Sequence, residues 1–145
     1  MKKILVAVDG SERQKLVVDA AVGLARRTGA KVVLFRAVGL PHDLPKRALE
    51  MAPDDIVELL EQRAKADLEE EEKRIPSELR AGVKVLTGTP WPSIERAANE
   101  EDVDLIVVGS HGYSGLDRVL GTTAAKVVNH ADRSVLVVRA PERLA

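Results

Sequence analysis

The residues with the spacing to do chemistry lie between Gly109 and Thr123, in GSHGYSGLDRVLGTT. Gly109, Gly112 and Gly115 follow the apolar run Leu105–Val108, and Gly121 is followed by two hydroxyls, Thr122 and Thr123. Glycines at a strand-to-helix turn permit positive φ and let a ligand approach the backbone closely. Free N–H groups at a helix start, with the dipole behind them, favour an anion such as phosphate, and threonine hydroxyls add donors. A few glycines would equally serve a plain tight turn. Gly121 moves the reading toward a ligand, because a mid-helix glycine costs about 1 kcal/mol relative to alanine. It therefore reads as a helix start or a point of ligand approach.

Asp9, in Asp9-Gly10-Ser11, is the second chemically suggestive residue. At a strand end it is either a ligand group or an Asx-turn residue ahead of Gly10, and the ligand is favoured because it would face the crevice described below. His111 is either a phosphate contact or an exposed loop histidine. Arg118 and Lys126 have the charge to neutralise phosphate, although cations on a surface helix usually face water. His130 suits the terminal carbonyls of a helix. Arg36 stands in an otherwise apolar strand and calls for a carboxylate that the sequence does not identify. Trp91, between two prolines, reads as packing at a turn. The run Glu69-Glu70-Glu71-Glu72 points its carboxylates in different directions around a helix, so it reads as a solvated face and not as a metal site.

The elements that must position these residues alternate regularly. Ile4–Val8, Val32–Val38, Val83–Leu86, Leu105–Val108 and Val135–Val138 are apolar runs of strand length. Near-continuous apolar character marks strands covered on both faces. Between them lie four helical patterns. The first has Ser11 as its expected N-cap, an apolar stripe of Leu16, Val17, Ala20, Ala21, Leu24 and Ala25, and a stop at Gly29. The second is expected over about Asp54–Arg74, capped by Asp54 or Asp55, with Ile56, Leu59, Leu60, Ala64 and Leu68 inward. The third follows a Pro90-Trp91-Pro92 turn, is capped by Ser93, and buries Ile94, Ala97 and Ala98. The fourth starts near Asp117–Gly121 and turns Leu120, Ala124, Val127, Val128 and Ala131 inward. Residues 39–53, with three prolines, read as a binding loop or a plain connection. Strand–helix alternation implies an α/β protein built on a parallel sheet with helices on both faces. Ligands in such sheets bind beyond the carboxyl ends of the strands, where strand order reverses. If the first and fourth strands are neighbours, Asp9 and the Gly109 loop share one crevice.

Composition bounds the function. A chain of 145 residues suits a single domain, burying roughly two-thirds of its unfolded surface. A net charge of −1 leaves no electrostatic footprint for nucleic acid or an anionic membrane. No apolar run approaches the ~20 residues of a membrane span. The basic start Met1-Lys2-Lys3 precedes only five apolar residues before Asp9, so it reads as a strand and not a signal peptide. The absence of cysteine excludes disulfides, thiolate catalysis and Cys-ligated metal. A cytoplasmic protein is the expectation.

The opening KILVAVDGS, GTPWPSI after the third strand, DLIVVGSHG, and the closing GTTAAKVVNHADRSVLVVR together resemble the universal stress proteins along the whole chain. Nucleotide-binding members carry G-x2-G-x9-G followed by Ser or Thr. Gly109-Ser110-His111-Gly112 and Gly121-Thr122 match its two ends, with eight residues, Tyr113–Leu120, where the common form has nine. The resemblance implies a Rossmann-like fold of the adenine nucleotide alpha hydrolase type, with strand order 3-2-1-4-5. It also implies ATP across the ends of the first and fourth strands, with Asp9 toward ribose or Mg²⁺. Ala7 and Val8 would line the base pocket, with backbone near Ala37 and Val38 at the adenine edge. Gly109, Gly112, Gly121, Thr122 and Thr123 would hold ribose and phosphates. A homodimer through the last strand, Val135, Leu136, Val137 and Val138, is implied as well, and an apolar edge strand does need a cover.

The function expected is an ATP-responsive regulator. No Walker motif G-x4-G-K-[ST] is present, and no nucleophile-and-base pair is visible. Weak ATP hydrolysis and a nucleotide-independent interaction protein stand as the alternatives.

Overall fold

The computed structural model describes residues 1–39, 53–110 and 120–139. Five parallel strands form one sheet in the order β3-β2-β1-β4-β5. They are β1 (Lys3–Ala7), β2 (Lys31–Val38), β3 (Arg80–Thr87), β4 (Leu105–Gly109) and β5 (Ser134–Val138). The described helices are α1 (Gln14–Thr28), α2 (Pro53–Glu72), α3 (Pro90–Glu101) and α4 (Thr122–His130), with a 3₁₀ turn at Ser77–Leu79. Architecture and strand order are those expected from the sequence.

The apolar runs are continuous because successive side chains enter two different cores. Ile4, Val6, Val32, Leu34 and Val107 pack with Val17, Val18, Ala21, Val22 and Ala25 of α1 and with Leu68 of α2. Leu5, Val33, Phe35, Ile106 and Val108 pack with Ile94, Ala97 and Ala98 of α3 and with Ala124 and Val127 of α4. β5 is different. It lies at the sheet edge, none of its residues is fully buried, and Leu136 is 37% exposed.

Several local expectations are corrected. Ser11 does not cap α1: the helix begins at Gln14, preceded by Arg13, and Ser11 belongs to the turn before it. The buried stripe of α1 is Val17, Val18, Ala21, Val22 and Ala25, leaving Leu16, Ala20 and Leu24 partly exposed. Neither Asp54 nor Asp55 caps α2; both lie in its first turn behind Pro53, where proline is tolerated because its missing N–H would be unpaired anyway. The same logic puts Pro90-Trp91-Pro92 inside α3, with Thr89 at the cap and Ser93 buried in the helix. Leu59 (39% exposed) and Val128 (46% exposed) face outward. Glu71 is buried within the expected solvated face, 2.5 Å from Arg74. Gly29 ends α1 as expected, at φ 76°, with its N–H donated to Ala25.

β3 runs from Arg80, three residues ahead of its expected start, and carries a bulge where Val32 and Val33 pair with Arg80 and Gly82. At the amino end of the sheet, the Asp104 carboxylate accepts the N–H groups of Lys2 (2.6 Å) and Lys3 (3.0 Å). These backbone bonds hold its carboxyl below the usual carboxylate range. Arg133 closes the same end, donating to the carbonyl of Val103 at 2.8 Å and to Asn99.

Candidate functional site at the carboxyl ends of β1 and β4

β1 and β4 are direct neighbours, with Leu5 opposite Ile106 and Val6 opposite Val107. The chain leaves β1 toward β2 and β3, and leaves β4 toward β5. The strand order therefore reverses between these two strands, which is where open parallel sheets hold ligands. The Asp9-Gly10-Ser11 turn and the Gly109-Ser110 step issue from this one point.

The turn after β1 is built from its own side chains. Asp9 Oδ1 accepts the Ser11 N–H at 2.9 Å, an Asx turn. Gly10 sits at φ +81° and donates its N–H to Gln14 Oε1 at 3.1 Å. The turn reading of Asp9 is observed through Oδ1, and Oδ2 has no partner among the described residues.

The exit from β4 is arranged otherwise. Ser110 donates its N–H to the Val138 carbonyl at 2.9 Å, and its own carbonyl accepts the Gly121 N–H at 2.8 Å. The Gly121 amide is therefore already engaged, contrary to the expectation that it faces an anion. The N–H groups of Thr122, Thr123 and Ala124, in the first turn of α4, find no acceptor among the described residues, as helix geometry requires unless something caps them. The Ser110 hydroxyl is buried with no hydrogen-bond partner among the described residues, and the residue is only 3% exposed. A buried, unpaired hydroxyl beside open helix amides is a combination that a polar ligand or water would satisfy. Nothing in the sequence singled out Ser110; its place between a buried strand and a glycine loop was the only available signal.

Neither of the two described glycines here, Gly109 and Gly121, has positive φ. Gly109 is absent from the positive-φ residues, and a Cβ on it would lie 3.1 Å from Val17 Cγ2. Its immediate role is to let α1 lie against β4. Gly121 is buried at φ −60°, ψ 161°, backbone that any residue adopts.

The remaining predicted residues divide by strand parity. Ala7 and Ala37 turn toward the α3–α4 face. Val8 is buried on the opposite side, against α1, and donates its N–H to Phe35 O at 2.9 Å. The Val38 carbonyl accepts the Gly88 N–H at 2.9 Å. Arg36 finds its carboxylate in Asp67 of α2, with Nη1 3.5 Å from Oδ2. Lys126 is exposed on α4. His130 ends that helix, away from Thr122, with its ring centroid 5.5 Å from that of Trp91. Gly112, His111, Gly115, Arg118 and the interior of the 39–53 loop lie outside the described residues.

An open parallel sheet with its crevice at the switch point defines a Rossmann-like α/β protein. A family model described as the universal stress protein family matches residues 1–139, and the chain belongs to that family. Universal stress protein YxiE of Bacillus subtilis is 33% identical over 94% of this chain and 98% of its own. Among solved structures, universal stress protein UspA from Lactobacillus plantarum superposes with a TM-score of 0.76, at 27% identity over 95% of this chain and 97% of that one. A universal stress protein in complex with cAMP superposes at 0.64, with 25% identity over 95% and 96% of the two chains. No described helix is long and apolar enough to cross a membrane.

Proposed function

We propose that the chain binds an adenine nucleotide, ATP in the leading reading, and acts as a cytoplasmic homodimeric regulator of a stress response. The observation that carries this is that the first α4 amides and the buried Ser110 hydroxyl, all without partners among the described residues, lie at the switch point with Asp9. The cAMP complex of a related protein supports the ligand class. Phosphate oxygens would meet the N–H groups of Thr122 and Thr123 and their hydroxyls, in the favourable field of the helix start. Asp9 Oδ2 would face ribose or Mg²⁺. The adenine would lie over Ala7 and Ala37, with Val38 and Val8 contributing backbone and support, and Gly109 and Gly112 bordering the ribose and phosphates. Bound Mg²⁺ would neutralise phosphate charge, while the hydroxyls and amides of this chain would orient the phosphates.

The homodimer reading rests on β5, an edge strand whose Val135, Leu136, Val137 and Val138 are all at least partly exposed. Such an edge invites a second strand. Replacing Leu136 by Glu is expected to yield monomers in sedimentation equilibrium.

A nucleotide-independent interaction protein is the second reading, favoured by the Gly121 amide being engaged by Ser110. Isothermal titration with ATP, ADP and cAMP, with and without Mg²⁺, separates the two. Binding in the micromolar range supports the first reading; no heat at millimolar nucleotide, and no small molecule in mass spectra of the purified protein, defeats it.

A further inference from the structure

The Arg36–Asp67 pair lies on the α1–α2 side of the sheet, behind the crevice, and its contact with the β1 turn is unusually specific. A Cβ built on Gly10 would stand 3.0, 3.1 and 3.2 Å from Nη2, Cζ and Nη1 of Arg36. Three nearly equal distances mean that the guanidinium lies face-on against Gly10. The φ of +81° favours glycine there, and a side chain would also have to push the guanidinium aside by a few tenths of an ångström. Asp67 fixes the plate from α2, at 3.5 Å from Nη1. Gln14 holds the Gly10 N–H from α1, and Asp9 Oδ1 holds the Ser11 N–H. The turn carrying Asp9 is thus clamped between two helices.

We propose that Arg36, held by Asp67, is a positioning residue for the nucleotide site: it seats Gly10 so that Asp9 keeps Oδ1 in the Asx bond and presents Oδ2 to the ligand. The proposal rests on the nucleotide reading above and on the contact between Arg36 and Gly10. An exposed ion pair alone contributes little. The effect arises from the flat guanidinium face, which lysine cannot reproduce.

The test compares Arg36→Ala, Asp9→Ala and the double variant of the full chain, with Mg·ATP as titrant. Arg36→Ala is expected to weaken binding roughly five- to tenfold, the range for loosening a group through its support. In the Asp9→Ala background the same substitution is expected to weaken it no further. Hydrogen exchange at the Ser11 amide, read by NMR without nucleotide, is expected to accelerate about tenfold in Arg36→Ala as the Asx bond opens more often. Asp67→Asn should move both readouts the same way, by less. Additive losses in the double variant, or unchanged Ser11 exchange, overturn the proposal. Should the unmodified protein bind no ATP, the nucleotide reading fails, and Ser11 exchange alone decides whether Arg36 clamps the turn.

Discussion

The two turns that meet at the switch point solve opposite problems. After β1 the chain satisfies itself: Asp9 takes the Ser11 N–H, Gln14 takes the Gly10 N–H, and Arg36 covers the glycine. After β4 the chain leaves donors over: the first-turn amides of α4 and the buried Ser110 hydroxyl have no partner among the described residues. A closed turn is a scaffold whose geometry exists before any ligand arrives. An open one holds polar groups that a ligand or water would satisfy. On the proposed nucleotide reading, a ligand's binding energy would come from the open side, and the closed side would aim a carboxylate.

The sharpest way to test the contrast removes the donors of one residue, Thr122, from the open side. Thr122 is the first residue of α4, a position where proline fits, and Gly121 before it already has the extended backbone that proline demands. Thr122→Pro is expected to leave the melting temperature unchanged and to weaken ATP binding roughly 10- to 100-fold relative to Thr122→Ala, the scale of the one backbone hydrogen bond to a charged group by which the two variants differ. Thr122→Ala, which loses only the hydroxyl, should lose less. Equal affinity in the proline variant and the unmodified protein, by titration calorimetry, would mean the α4 amides face no anion.

Packing beneath the open side comes next in size. Gly109→Ala puts a methyl 3.1 Å from Val17 Cγ2, and overpacking of this kind costs about 1–3 kcal/mol. Val17→Ala in the same chain should recover part of that loss in urea denaturation. Additive losses would show that Gly109 serves something other than the seat of α1.

On the closed side, Asp9→Asn keeps an acceptor for the Ser11 N–H but removes the charge. Stability should change by less than about 0.5 kcal/mol, as at other exposed positions, while Mg²⁺ dependence of nucleotide binding falls. A substantial loss of stability with Mg²⁺ dependence intact would make Asp9 structural only.

The smallest effect lies far from both turns, at Asp104. Its folded-state pKa is depressed by the Lys2 and Lys3 amides, so its contribution is present above the unfolded value, about 3.9. That contribution is lost as pH falls through the lower folded value. Asp104→Asn should therefore lower stability at neutral pH and make it less dependent on pH in the acid limb. Parallel acid-denaturation curves for the two proteins would assign the carboxylate no role.

Leu136 and Val128, exposed where helical and strand periodicity place apolar residues inside, show the limit of pattern reading at this edge of the molecule. Periodicity identifies a face but not whether anything covers it. Likewise the prolines around Trp91 read as a turn because proline breaks helices, yet in a first turn it removes only a bond that does not exist.

By itself the amino-acid sequence determined the alternation of strands and helices, the two-faced burial of the central strands and the residues that flank the crevice. These follow from local periodicity and from glycine chemistry, both written into neighbouring residues. Tertiary structure alone decided that Arg36 pairs with Asp67 across 31 positions, that Gly121 gives its amide to Ser110 and that the Ser110 hydroxyl is left without a partner among the described residues. Hydrogen bonds and ion pairs between distant segments depend on where the sheet register and helix packing set each backbone, and no local pattern encodes that distance.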